Sequence, residues 1–199
     1  MREATINYYN QNAGNLSEGY ISADMESLHN RMSEFFSGCE NVFELGTGSG
    51  RDMSFMLNRG FNVYGCEASE KMLKLSLENF PLLEGRVEHC ILPESFPHSE
   101  IKFDAFYSIA TLMHFTSEEL PLLLNEIKTL LNKKAKLLFS VSEPREYNAD
   151  ARYFNKLSKD DYKDLFTDNG FEIIDIKTSL EEDRNIKWNT FYLKFTHEN

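Results

Sequence analysis

Cysteine is scarce in this chain and shows none of the spacings that would give it a structural role. The three cysteines, Cys39, Cys66 and Cys90, are an odd number and include no C-x-x-C pair. Neither a disulfide framework nor a zinc site is therefore indicated. We expect three reduced thiols that act as small apolar side chains, and no metal site.

Basic residues are also in the minority, with 21 lysines and arginines against 32 aspartates and glutamates and a formal net charge of -11. Nucleic acids and anionic membranes are usually bound through basic patches, so the composition argues against both as partners. No apolar run is long enough to cross a bilayer, and the N-terminal MREATINYYN lacks the apolar core of a signal peptide. We expect a cytoplasmic protein that is a monomer or a homodimer.

A glycine-rich segment follows the first predicted strand, Asn41–Leu45. Gly46, Gly48 and Gly50 stand at a spacing of two, and glycine lets the backbone turn through positive φ and lets a ligand approach closely. The pattern differs from the G-x-G-x-x-G fingerprint of dinucleotide-binding folds. Glu44, at the entrance to the segment, would repel a pyrophosphate but suits an ammonium group. These residues indicate a cofactor loop.

Three motifs carry a resemblance to a known family: ELGTGSGRD at residues 44–52, VYGCE at residues 63–67 and FDAFYSIATLMHF at residues 103–115. Together they resemble the class I S-adenosylmethionine-dependent methyltransferases, and most of all the small-molecule branch with the tellurite-resistance and quinone-biosynthesis types. The resemblance is distinct over residues 40–141. It implies S-adenosylmethionine as the methyl donor, S-adenosylhomocysteine as the product and a small molecule as the methyl acceptor, through an oxygen, nitrogen or sulfur atom.

The resemblance also implies a set of cofactor contacts. The glycine loop would pack along the methionine part, with Glu44 near its ammonium group, directly or through water, and Glu67 would accept hydrogen bonds from both ribose hydroxyls. The full predicted set is Glu44, Gly46, Thr47, Gly48, Gly50, Glu67, Ala68, Cys90, Ile91, Leu92 and Ser108. Family members usually offer an acidic or polar residue to the adenine after the third strand. Here His89 and Cys90 stand in that segment, so the expected carboxylate is missing.

The acceptor side is expected to form from the N-terminal segment, the turn after the fourth strand and the long connection at residues 142–157. His114 would suit a general base because histidine titrates near physiological pH, although a lone histidine can equally be structural. The predicted acceptor contacts are Tyr9, Tyr20, His114, Arg145, Arg152 and Tyr153. The two arginines could bind a carboxylate or phosphate of the acceptor. Alternatively, they could pair with acidic neighbours at the surface.

Strands and helices alternate along the chain with short connections, which predicts a Rossmann-like, doubly wound α/β fold with right-handed crossovers. The family resemblance implies a seven-stranded, mostly parallel sheet with one antiparallel strand near the C-terminal end, inserted beside the fifth strand. Helix starts are predicted at Ser69 and at the pairs Thr116–Glu119 and Ser158–Asp161. We expect a single domain over residues 1–199, with an N-terminal helical segment at 1–38 and the core at 40–199.

Two other functions fit parts of the sequence. A non-catalytic accessory or interaction protein could keep the fold and bind S-adenosylmethionine without transferring its methyl group. A nicotinamide-dependent oxidoreductase would also place an acidic residue at Glu67, but the spacing of the glycines and the presence of Glu44 count against it.

Overall fold

A computed structural model describes residues 3–93, 96–144 and 151–196. Two helices come first, α1 (Glu3–Ser22) and α2 (Glu26–Phe35). The other elements are β1 (Asn41–Leu45), α3 (Arg51–Asn58), β2 (Asn62–Glu67), α4 (Glu70–Asn79), β3 (Val87–His89), β4 (Phe103–Ile109), α5 (Glu119–Leu130), β5 (Leu131–Ser142), α6 (Lys159–Asp168), β6 (Phe171–Glu181) and β7 (Ile186–Phe195). In these ranges no helix has the length and apolar character needed to cross a bilayer.

The strands form one seven-stranded sheet in the order β3-β2-β1-β4-β5-β7-β6. The pairs from β3 to β5 are parallel, whereas β7 lies antiparallel to both β5 and β6. This arrangement confirms the predicted fold class, including the antiparallel strand beside the fifth. The strand order reverses between β1 and β4, and that point is where open α/β sheets bind their ligands.

The sheet is covered on both faces because successive side chains of a strand point to opposite sides. On β1, Phe43 packs in a cluster with Leu123 of α5, whereas Val42 packs in a second cluster with Met53 of α3. All four side chains are fully buried. The two clusters account for the doubly wound architecture and fix which face each residue of β1 presents.

The predicted helix starts at Ser69 and Ser158 are confirmed, whereas α5 begins at Glu119, three residues after Thr116. The Ser69 side chain accepts a backbone hydrogen bond at the start of α4, and Ser158 and Asp161 form a reciprocal capping box at the start of α6. Before α5, the Thr116 N–H donates to Glu119 Oε2 at 2.8 Å and the Glu119 N–H donates to Thr116 Oγ1 at 3.2 Å. Each cap satisfies backbone donors that a helix leaves open at its first turn.

Helix α1 is held across α4 by side-chain hydrogen bonds. Asn10 Oδ1 accepts from Ser69 Oγ at 2.7 Å and from the Lys71 N–H at 3.2 Å. About two turns further along α1, Ser17 Oγ accepts from Asn79 Nδ2 at 3.3 Å. Because α4 starts directly after β2, these contacts place α1 over the carboxyl ends of the central strands.

Candidate active site

A cleft opens at the carboxyl ends of β1, β2 and β4, at the point where the strand order reverses. It contains about 840 Å³ of space, including its solvent-open mouth. Its walls come from the loop after β1, the end of β2, the segment after β3, the turn after β4 and helix α1. Its position is that of a small-molecule site in an open α/β sheet.

The glycine loop forms the floor of this cleft. Gly46, Gly48 and Gly50 have φ angles of 78°, 56° and 84°, a region that favours glycine. The Gly46 N–H donates to the Cys66 carbonyl at 3.0 Å, which fixes the loop to β2. A Cβ on Gly46 would collide with the Thr111 side chain, whereas the nearest atom to a Cβ on Gly48 would be 3.9 Å away. Gly46 therefore allows close backbone packing, and the open space beside Gly48 is available to a ligand.

Glu67 ends β2 and lines the cleft beside the glycine loop. Its Oε2 accepts from the Gly48 N–H and its Oε1 accepts from the Ser69 N–H, both at 2.8 Å. Burial outweighs these hydrogen bonds and raises the pKa of the Glu67 carboxyl. A carboxylate oxygen has two lone pairs, so each oxygen can still accept one more hydrogen bond from the cleft.

Glu44 lies behind the glycine loop rather than in the wall of the cleft. It is 1% exposed, and its Oε2 has no hydrogen-bond partner within the described part of the chain. The buried Tyr107 hydroxyl interacts with this carboxyl but forms no hydrogen bond of normal geometry with the residues described. Burial, followed by the repulsion of the Asp52 carboxylate, raises the pKa of Glu44 well above its usual range. This carboxyl therefore favours its protonated form.

A charged cluster closes the cleft next to the glycine loop. Arg51 donates from Nε to Asp52 Oδ1 and from Nη2 to Asp52 Oδ2, both at 2.8 Å, and from Nη1 to the Tyr20 carbonyl at 2.6 Å. His29 Nε2 lies 2.5 Å from Asp52 Oδ1. Although burial opposes it, hydrogen bonds from His29 and Arg51 keep the pKa of Asp52 below its ordinary value. The cluster joins α1, α2 and α3 at one edge of the site.

The opposite wall carries His114, whose two ring nitrogens are both engaged. Nδ1 lies 2.7 Å from the Tyr153 carbonyl oxygen, and Nε2 lies 3.0 Å from the Tyr9 hydroxyl. Because a carbonyl can only accept, Nδ1 carries the proton in this pair and Nε2 of the neutral ring accepts from Tyr9. Burial, followed by the nearby Tyr20, raises the pKa of Tyr9. Tyr9 is thus a neutral phenol that donates to a histidine lone pair.

The segment behind His114 is fixed to the rest of the fold by backbone hydrogen bonds. The Tyr153 N–H donates to Thr5 Oγ1 of α1 at 2.8 Å, and the Asn155 N–H donates to the Met113 carbonyl at 2.8 Å. The buried Asn155 also donates from Nδ2 to the Phe115 carbonyl at 3.1 Å. These bonds hold the turn on both sides of His114 and set the position of its carbonyl partner.

Arg152 lies among aromatic rings next to His114. The centre of its guanidinium is 4.7 Å from the centroid of Tyr8, 5.1 Å from that of Phe154 and 5.7 Å from that of Tyr9. A cation at these distances is attracted to the faces of the rings. The arrangement joins α1 to the segment after residue 150 and adds positive charge beside the wall that carries His114.

The structure brings most of the predicted site residues to the cleft. Its walls include Gly46, Thr47, Gly48, Glu67, Ala68, Cys90 and Leu92 from the predicted cofactor set, and Tyr9, Tyr20 and His114 from the predicted acceptor set. The other predicted residues lie outside the lining: Glu44, Gly50, Ile91, Ser108, Arg152 and Tyr153. Ile91 is 39% exposed, and Ser108 is fully buried with its Oγ donating to the Leu45 carbonyl at 2.9 Å. Arg145 lies outside the described residues.

Further residues of the lining were not predicted. They are Leu45, Ser49, Arg51, Asp52, Cys66, Met72, Ile109, Ala110, Thr111 and Phe115. Most of them directly adjoin a predicted residue, so extending each motif by one or two positions would have found them. Within the described ranges, no group of three or more histidine, cysteine or acidic side chains could hold a metal ion.

Comparison with known proteins agrees with this geometry. Residues 42–134 match the profile of a family described as a methyltransferase domain. An uncharacterized methyltransferase of Geobacillus sp. (strain WCH70) is 28% identical over 196 residues, which are 96% of this chain and 88% of that protein. These matches confirm the predicted resemblance to the class I S-adenosylmethionine-dependent methyltransferases.

Solved structures show the same methyltransferase fold. The 1,6-didemethyltoxoflavin-N1-methyltransferase of Burkholderia thailandensis, solved with 1,6-didemethyltoxoflavin and S-adenosylhomocysteine, has a TM-score of 0.79 and 16% identity, with 98% of this chain and 88% of that chain covered. The magnesium protoporphyrin IX methyltransferase of Synechocystis PCC 6803, solved with S-adenosylmethionine, has a TM-score of 0.74 and 18% identity, with 98% of both chains covered. At these identities the likeness concerns the fold.

Proposed function

We propose that this methyltransferase transfers the methyl group of S-adenosylmethionine to an oxygen, nitrogen or sulfur atom of a small molecule. The observation that carries the proposal is that Glu67 and His114 both line the same cleft, on different walls. Glu67 offers two acceptor oxygens beside the glycine loop, and on the opposite wall the Tyr9 hydroxyl, which donates to His114 Nε2, offers a route for a proton. One wall thus suits the donor and the other suits an acceptor that must lose a proton.

The residues on the donor wall fit S-adenosylmethionine. Glu67 has spare lone pairs for two vicinal ribose hydroxyls, and the open side of Gly48 leaves room for the ligand to lie against the backbone. The side chains of Ala68, Met72 and Leu92 add apolar surface for a purine ring. When bound, S-adenosylmethionine supplies a methyl group that its sulfonium charge already activates.

Glu44 and Arg51 would act at the methionine end of the cofactor. Glu44 does not line the cleft, so its predicted contact with the ammonium group would run through water. Arg51 and Asp52 do line the cleft, and their fixed bidentate pair gives that end a defined arrangement of charge. Gly50 contributes by packing rather than by contact, since a Cβ there would meet the side chain of Leu83.

His114 and Tyr9 can remove the proton that an O–H or N–H acceptor loses on methylation. The Tyr9 hydroxyl takes up the proton of the acceptor while it donates its own proton to His114 Nε2. The imidazolium that forms keeps its Nδ1–H hydrogen bond to the Tyr153 carbonyl, which stabilises the charge. A thiolate acceptor needs no such step, because alignment with the methyl group and exclusion of water provide most of the rate.

Arg152 favours an acceptor that carries an anionic group. Its guanidinium is positioned by Tyr8, Tyr9 and Phe154 beside the acceptor wall, and a guanidinium binds carboxylate or phosphate with two parallel hydrogen bonds. The chain as a whole has a net charge of -11, which repels anions. A positive group beside this wall therefore gives an anionic acceptor a local site of attraction.

Calorimetric titration with S-adenosylhomocysteine, followed by mass spectrometry of a panel of phenols, amines, thiols and their carboxylated analogues with S-adenosylmethionine, tests the proposal. Binding together with a methylated product from a small acceptor supports it. Binding without any methylated product would instead favour a cofactor-binding accessory protein. Absence of binding at millimolar ligand would refute the proposal, and binding of NADH in the same assay would favour an oxidoreductase.

A further inference from the structure

Two of the three cysteines meet in the wall of the cleft. Cys66 lies next to the end of β2 and is 2% exposed, and Cys90 directly follows β3 and is 9% exposed. Both line the cleft, and their thiols form a hydrogen bond with each other. Cys39 lies apart from them, between α2 and β1, where its thiol lies 3.6 Å from the Asp104 carbonyl oxygen. The chain therefore contains a thiol pair and a separate thiol for reference.

We propose that Cys66 and Cys90 form a redox-sensitive dithiol, and that its oxidation to a disulfide closes the purine end of the cleft. The proposal rests on the proposed function, because it assumes that the cofactor occupies the space these thiols face. Their position on that wall means that cofactor and oxidant compete for access to the same surface.

The backbone around the two cysteines explains why a disulfide would alter the cleft. Glu67 is paired with His89, and the Cys90 N–H donates to the Glu67 carbonyl at 3.1 Å. Cys90 is therefore offset along the strands from Cys66 instead of standing directly opposite. A disulfide requires a close approach of the two Cα atoms, so the loop that follows β3 must move towards β2. Leu92 lies on that loop and in the same wall, and its movement would narrow the cleft.

The chemistry needs only a hydroperoxide as oxidant. One thiol is oxidised to a sulfenic acid as the O–O bond breaks and an alcohol or water leaves; the second thiol then attacks this sulfur, forms the S–S bond and releases water. Cys90 is the more exposed of the two, so it meets the oxidant first and Cys66 resolves it. The hydrogen bond with Cys90 and burial raise the pKa of Cys66, so its attack on the oxidised Cys90, in which the Cys66 proton leaves with the water, is the slower step.

The experiment uses the full chain with Cys39→Ser, so that only the thiol pair remains. This protein is treated with hydrogen peroxide, with and without S-adenosylhomocysteine, and then examined by intact mass and by calorimetric titration. We expect the loss of two hydrogen masses, a cross-linked peptide that joins Cys66 to Cys90, and S-adenosylhomocysteine affinity that falls about tenfold or more. Dithiothreitol should restore the affinity, and bound S-adenosylhomocysteine should slow the reaction.

Matched controls separate this inference from the proposed function. Adding Cys66→Ser or Cys90→Ser to the same background removes one partner, so neither double variant should lose two hydrogen masses. Failure of the reduced protein to bind S-adenosylhomocysteine would overturn the proposed function, while the cross-link alone would still report on the thiol pair. Binding by the reduced protein with no cross-link, or a cross-link with unchanged affinity, would overturn the dithiol proposal.

Discussion

The two walls of the cleft are built in different ways. On the donor wall, Glu67 is held by backbone N–H groups of Gly48 and Ser69, which lie in turns directly beside their strands. On the acceptor wall, His114 is held by Tyr9 and Tyr153, which are 105 and 39 residues away along the chain. The donor wall is thus specified by local turns, and the acceptor wall depends on the docking of α1 and of the segment after residue 150.

This difference suggests that the walls separate binding from reaction. Backbone donors hold Glu67 even if a neighbouring side chain changes, which suits a ligand common to a whole family. His114 takes its orientation from side chains and segments that can vary without altering the sheet. Substitutions on the donor wall should therefore change cofactor affinity, and substitutions on the acceptor wall should change turnover.

The largest effect should come from His114→Asn. The amide Nδ2 of asparagine can still donate to the Tyr153 carbonyl, but the proton acceptor at Nε2 is lost. Turnover of an O–H or N–H acceptor should fall by roughly 10²- to 10⁴-fold, the range for a general base. The affinity for S-adenosylhomocysteine, measured by calorimetry, should change by less than about twofold.

Thermal unfolding of His114→Asn provides the control, because the residue is buried. Unchanged turnover in a variant that is still folded would give His114 a purely structural role. Loss of cofactor affinity together with turnover would show that the two walls are not independent.

Glu67→Ala should show the opposite pattern. The variant loses the charge-assisted hydrogen bonds of this carboxylate, each worth about 1.5–3 kcal/mol, so S-adenosylhomocysteine should bind about a hundredfold or more weakly. Glu70→Ala is the matched control, since Glu70 lies three residues further along at the exposed start of α4. Equal losses in the two variants would point to a general effect of negative charge near the site.

Tyr9→Phe tests the connection between α1 and the acceptor wall. It removes the hydroxyl that donates to His114 Nε2 at 3.0 Å and keeps the ring. We expect turnover to fall about a hundredfold, the lower end of the range for a general acid or base, because His114 Nε2 can still accept a proton directly, and we expect the pH profile to shift. Tyr8→Phe, one residue earlier on the same helix, should leave the pH profile unchanged. A loss as large as that of His114→Asn would mean that every proton leaves through Tyr9.

The sequence predicts the donor wall well because its signals are local. The strand Asn41–Leu45, the cap at Ser69 and the glycine loop are each encoded by neighbouring residues, and all appear where predicted. The pairing of Tyr9 with His114, and the support of Tyr153 by Thr5, join segments more than a hundred residues apart. No periodicity or spacing within one segment carries that information.

The position of Glu44 could have been predicted from the alternation of β1. Its neighbours Phe43 and Leu45 pack in one cluster, so Glu44 must share the other face with Val42. That face lies against α3, and the side chain is enclosed there behind the lining of the cleft. A motif gives the residue type that a family uses, whereas strand alternation decides which way the side chain points.

Glu44→Gln should have the smallest effect on cofactor affinity and turnover. We expect it to change the stability of the fold instead. Burial and the nearby Asp52 raise the pKa of Glu44, so the folded chain keeps a proton that the unfolded chain releases as the pH rises above about 4.5. Stability is therefore lost as the pH rises from that value towards the raised pKa. The neutral glutamine removes this dependence, and Tm at pH 8 should rise, by roughly 2–4 °C for each kcal/mol gained.

Asp52 provides the contrasting case within the same buried cluster. Its pKa is lowered in spite of burial, through hydrogen bonds from His29 and Arg51, so its stabilising contribution is present at neutral pH and is lost only as the pH falls through the acid range. Melting curves that run from below pH 3.8 to pH 8 can therefore separate Glu44 from Asp52, because the Asp52 contribution is lost at the acid end and the Glu44 contribution is lost as the pH rises. The exposed Glu70→Gln should follow the wild type throughout. A Glu44→Gln curve parallel to the wild type would mean that Glu44 is ionised in the folded chain, and its predicted role towards an ammonium group would then gain support.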